Sequence, residues 1–68
     1  MKQQFYSDKD MTMVTYTTDD GVMFSVCNKI GSKNYLVQCT SIGVFFTVDN
    51  PDIGVKIMKS ILGEYDVV

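Results

Sequence analysis

The chain contains no arginine, histidine, tryptophan or alanine, and only one proline and two cysteines. Each gap removes a class of chemistry. Without histidine the usual general base near neutral pH is missing, and Cys27 and Cys39 alone fall short of the four ligands of a structural zinc site. A Ser-His-Asp triad is impossible, and the two cysteines do not have the Cys-x-x-Cys spacing of a redox motif. Gly31-Ser32-Lys33 lacks the upstream glycine of a phosphate-binding loop. No enzymatic activity, metal or other cofactor is expected.

Without arginine, no guanidinium can grip a phosphate or a guanine edge with two parallel hydrogen bonds. The six cations, Lys2, Lys9, Lys29, Lys33, Lys56 and Lys59, are scattered rather than arranged in a stripe. The net charge is −2 and the isoelectric point about 4.6, so nucleic acid is not the expected partner of this acidic chain. Long apolar runs are also missing: residues 42–46 are far too short to cross a bilayer, and residues 1–7 have no apolar stretch of the signal-peptide kind. The expected location is the cytoplasm, with reduced thiols and no membrane contact.

What the chain does have is β-branched residues. Val, Ile and Thr dominate residues 11–48, and Asp19-Asp20-Gly21, Ser32-Lys33-Asn34 and Ser41-Ile42-Gly43 divide that stretch into four strands. Read as three-residue hairpin loops, each closed by a left-handed residue (Gly21, Asn34 and Gly43), these turns set Thr18 opposite Val22, Gly31 opposite Tyr35 and Thr40 opposite Val44. One face then carries the even-numbered Val14, Tyr16, Val22, Phe24, Val26, Ile30, Leu36, Ile42, Val44, Phe46 and Val48. The other is not the polar surface of a solvated sheet. Met13 would face Cys27, Cys27 would face Cys39 and Cys39 would face Phe45, an apolar row bordered by Val37.

Asp49-Asn50-Pro51-Asp52 is a helix start: a side-chain cap, proline in the first turn and a carboxylate near the positive end of the dipole. The helix is expected over residues 51–62, with Gly63 as its left-handed stop. Ile53, Ile57 and Ile61 form one row, and Val55, Met58 and Leu62 continue the apolar arc around to an outer row.

The expected fold is α+β. Four antiparallel strands, or five if residues 1–10 add an edge strand rather than an arm, form a meander over residues 11–48. One C-terminal helix, residues 50–63, packs on one face, and residues 64–68 are a tail of this single domain. One helix covers one face, so the apolar surplus points to association. The candidate interface is Met13, Cys27, Val37, Cys39 and Phe45 on the sheet, or Val55, Met58 and Leu62 on the helix. Asp8, Asp10, Asp49 and Asp52 are candidates for an acidic patch at one end of the sheet, facing a basic partner.

In size and charge, though in no motif, the chain resembles the small early proteins of bacteriophages, which bind and inhibit host or defence proteins. The expectation is a protein-binding inhibitor or adaptor that pairs with itself, as a homodimer or higher oligomer, and with a host or defence protein. An alternative is a small-ligand binder at a subunit interface. There Tyr16, Tyr35 and Tyr65 would stack on a signalling nucleotide, and Lys29 and Lys33 would neutralise it.

Overall fold

The N-terminal residues form the strand β1 (Lys2–Ser7), which joins β2 (Met11–Thr17), β3 (Met23–Lys29), β4 (Tyr35–Cys39) and β5 (Val44–Val48) in one antiparallel sheet of order β1-β2-β3-β4-β5. The helix α1 (Pro51–Leu62) follows. This is a computed structural model and describes residues 1–63. The tail at 64–68 and Tyr65 lie outside the described residues.

The β1–β2 connection has no glycine, and Asp8 supplies the turn instead. Its Oδ1 accepts from the backbone N–H of Asp10 at 2.7 Å and of Met11 at 2.9 Å, while the Asp8 N–H donates to the Met11 carbonyl at 2.9 Å. That Asx arrangement pins the register Phe5↔Val14 and Tyr6↔Met13. The β2–β3 turn is the expected three-residue loop. Gly21 takes φ 90° and donates to the Thr18 carbonyl, and Thr18 N–H donates to the Val22 carbonyl at 2.9 Å. Buried Thr18 is satisfied on both sides, its hydroxyl donating to Asp20 and accepting from Val22 N–H at 3.0 Å.

The next two turns depart from expectation. The left-handed residue of the β3–β4 loop is Gly31, at φ 87°, not Asn34; Ser32 N–H donates to the Lys29 carbonyl, so the chain turns earlier. Asn28 then holds the rest of the loop, its amide donating to the Ser32 and Asn34 carbonyls. The pairing becomes Ser25↔Gln38, Val26↔Val37 and Cys27↔Leu36, three residues away from the expected one. An odd shift inverts a strand. Tyr35, Val37 and Cys39 therefore face the helix, and Leu36 faces away.

The β4–β5 connection is four residues long, not three. It contains a single 3₁₀ turn, Thr40–Ile42, closed by Gly43 at φ 67°, and pairs Cys39 rather than Thr40 with Val44. This second odd shift restores β5. Val44, Phe46 and Val48 face the helix as expected, whereas Ile30 and Ile42 belong to exposed loops and not to the inner face.

Phe24, Val26, Val37, Cys39 and Met58 are the buried core, with Tyr16 stacked on Phe24 at 5.0 Å between ring centres. The buried Cys39 thiol donates to the Met23 carbonyl at 3.4 Å. Asn50 caps α1 by accepting from Asp52 N–H at 2.9 Å, and Gly63, at φ 76°, ends it. The helix lies across β3, β4 and β5. Its inner line is Gly54, Val55, Met58 and Leu62, so Val55, Met58 and Leu62 are core-facing rather than an outer row. The reason is Gly54. A Cβ there would stand 2.7 Å from Val37 Cγ2 and 3.2 Å from Val48 Cγ2, so only a glycine lets the helix lie this close to the sheet.

Candidate functional site

Two apolar surfaces remain uncovered among the described residues. The larger is the sheet face opposite the helix. The register sets Tyr6, Met13, Cys27 and Leu36 in one row across β1 to β4, ending at Thr47 on β5. Phe45 shares that face one rung away, opposite Gln38, and is 76 % exposed. Met23 and Met11 lie along the same face. At the end bearing the β3–β4 loop the face dips into a concavity of about 430 Å³ whose lining includes Met11, Cys27, Lys29, Ser32, Asn34 and Leu36.

The expected row is therefore partly corrected. Met13, Cys27 and Phe45 are on the open face, but Val37 and Cys39 have no accessible surface, because the early turn at Gly31 rotates β4 inward. Leu36 takes the place expected of Cys39. Of the helix candidates, Met58 is fully buried, and Val55 and Leu62 pack against the core.

The second surface is the isoleucine row of α1: Ile53, Ile57 and Ile61 are 46 %, 39 % and 49 % exposed. The opposite flank of the helix, with Asp52, Val55, Lys56 and Lys59, borders a groove against Met1, Gln3 and Tyr16 on the β1–β2 side. The isoleucines thus lie on the flank toward the β5 edge. Gly54 was the sequence signal that could have oriented the helix, since a glycine inside an otherwise apolar helix marks its line of closest approach.

The four acidic candidates share one end of the sheet but do not gather. Asp8 and Asp10 stand at the β1–β2 turn, and Asp49 and Asp52 follow β5, three to four strands away, on the order of 15 Å at the usual strand spacing. Among the described residues no three acidic, histidine or cysteine side chains are placed to hold a metal ion. Asp8 is occupied in its turn: the Asp10 and Met11 N–H groups, then the Tyr6 hydroxyl, hold its carboxyl below the ordinary value. Tyr6, donating to Asp8 Oδ2 at 3.0 Å, is raised by the same contact and by the negative charge beside it.

The alternative ligand set is dispersed within one chain. Tyr16 and Tyr35 are both on the helix side but at opposite ends of the sheet, Tyr16 across from Phe24 and Tyr35 across from Val48. Lys29 borders the concavity on the other face, and Lys33 is in the β3–β4 loop. Among the described residues no helix is long and apolar enough to cross a membrane. Comparison with models of protein families, with curated proteins and with solved structures finds no match to this chain.

Proposed function

We propose that this chain is a non-enzymatic protein-binding module that docks its partner on the open face of the sheet. On this reading it acts as an inhibitor or adaptor that occludes a host or defence protein in the cytoplasm, as small phage early proteins do. One observation carries the reading. An apolar row, Tyr6-Met13-Cys27-Leu36, crosses four of five strands on a face that no described element covers, with exposed Phe45 beside it. Monomeric proteins seldom leave such a continuous apolar surface to water, and aromatic and methionine side chains are the types enriched at interface centres. The concavity beside Leu36 offers a socket for one anchoring side chain of the partner.

The lack of histidine and arginine supports a role in occlusion rather than chemistry. The test is affinity capture from the cells that naturally contain the protein, comparing the wild type with Leu36→Asp, the fold of each checked by circular dichroism. The wild type should retain a specific protein and folded Leu36→Asp should lose it. Retention by the variant would contradict the assignment.

A further inference from the structure

We infer that the edge strand β5 and the isoleucine row of α1 together form the contact with a second copy of this chain, related by a two-fold axis normal to the sheet. β5, Val44-Phe45-Phe46-Thr47-Val48, is the last strand of the sheet and carries no charge, proline or glycine. Sheet edges are normally guarded by lysine, proline, a bulge or a covering segment. The other edge, β1, has Lys2 within it and Asp8, Lys9 and Asp10 at its end. Among the described residues β5 has no such guard.

Its chemistry fits its own copy. An antiparallel pair centred on Phe46 places Phe46 opposite Phe46, Val44 opposite Val48 and Phe45 opposite Thr47, aromatic and β-branched pairs of the kind that stabilise adjacent strands. The two Asp49 carboxylates, which follow β5 directly, then sit at opposite ends of the seam, about 20 Å apart and beyond the screening length. A parallel arrangement would bring them together. Each chain would gain backbone hydrogen bonds along its free edge.

The helix geometry agrees. Antiparallel pairing keeps both helices on one side of a continuous ten-stranded sheet. With α1 lying over β3, β4 and β5, a copy across the seam is about three strand spacings from β4 to β4, roughly 14 Å. Two helices with side chains are each about 10–12 Å wide, so at this separation the rows Ile53, Ile57 and Ile61 face each other above the seam across about 2–4 Å, a gap that the twist of the joined sheet has to close for them to pack. The exposed parts of these residues, of Phe45 and of the strand edge set an upper limit on the order of 600 Å² per chain, the size of a small interface beside the ~800 Å² per partner of a standard one. Of the open face only Phe45 and Thr47, on β5 itself, border this contact, and the row Tyr6-Met13-Cys27-Leu36 stays available.

Sedimentation or light scattering at high-micromolar concentration tests the inference. The wild type should have twice the 7.7 kDa mass of the chain, Ile57→Lys should halve it, and Leu36→Asp should leave it unchanged. If Ile57→Lys fails to fold, hydrogen exchange on the wild type decides: amides of Val44–Val48 should exchange more slowly as protein concentration rises. A wild-type monomer, a mass unaffected in folded Ile57→Lys, or exchange at β5 independent of concentration overturns the inference. If the wild type is monomeric and removal of residues 64–68 makes it dimeric, the occupant of the edge is the chain's own tail.

Discussion

Gly54 sits directly over Val37: an added Cβ would come within 2.7 Å of the Val37 γ-methyl. That contact sets which row of the helix faces inward and therefore which row, Ile53-Ile57-Ile61, is left outside. Val37 is β-branched and fully buried, with little freedom to move aside.

Gly54→Ala should consequently destabilise the protein, although alanine is the better helix former by about 1 kcal/mol. Overpacking costs about 1–3 kcal/mol, so a net loss on the order of 1 kcal/mol is expected from urea unfolding. A gain in stability would mean the helix lies farther from β4 than described.

The two thiols point to opposite faces, Cys27 to the open side and Cys39 into the core, so they cannot form a disulfide without rebuilding β4. A thiol reagent should label Cys27 in the folded protein and reach Cys39 only after denaturation. Equal rates at both, or no free thiol in native protein, would restore the register in which the two cysteines face each other.

The hydrogen-bonded Asp8 carboxyl makes the β1–β2 hairpin sensitive to acid. Its folded pKa is lowered, so its stabilisation is complete above the ordinary value of 3.8 and is lost as pH falls through the lowered folded value. The raised Tyr6 has the opposite sense, contributing below its ordinary value of 10.0 and losing its contribution as pH rises through the folded value. Asp8→Asn should flatten the acid limb of a stability-against-pH curve measured by thermal unfolding. An unchanged acid limb would assign it to other carboxylates.

Much of this architecture is legible in the residues. Asn50-Pro51-Asp52 and Gly63 mark both ends of the helix because capping is a local effect, and the Asp19-Asp20-Gly21 turn fixes β2 against β3 for the same reason. The register of β4 is ambiguous in the sequence because two residues in its loop, Gly31 and Asn34, can each adopt the left-handed conformation. Only the long-range ties from Asn28 and the burial of Val37 under Gly54 select the first. The site inherits that ambiguity: Met13, Cys27 and Phe45 hold their places on the open face, whereas Leu36 and Cys39 exchange theirs. Periodicity shows that the helix has an apolar arc wider than one contact, but not which end of the arc faces the sheet.

The open face as a docking surface is tested most directly by placing a photo-crosslinking residue at Met13, in the apolar row, or at Ser60, on the exposed polar side of the helix, in the cells that naturally contain the protein. The account predicts one dominant crosslinked foreign protein from position 13 and none from position 60. Crosslinking of that same protein from position 60 but not from 13 would contradict it.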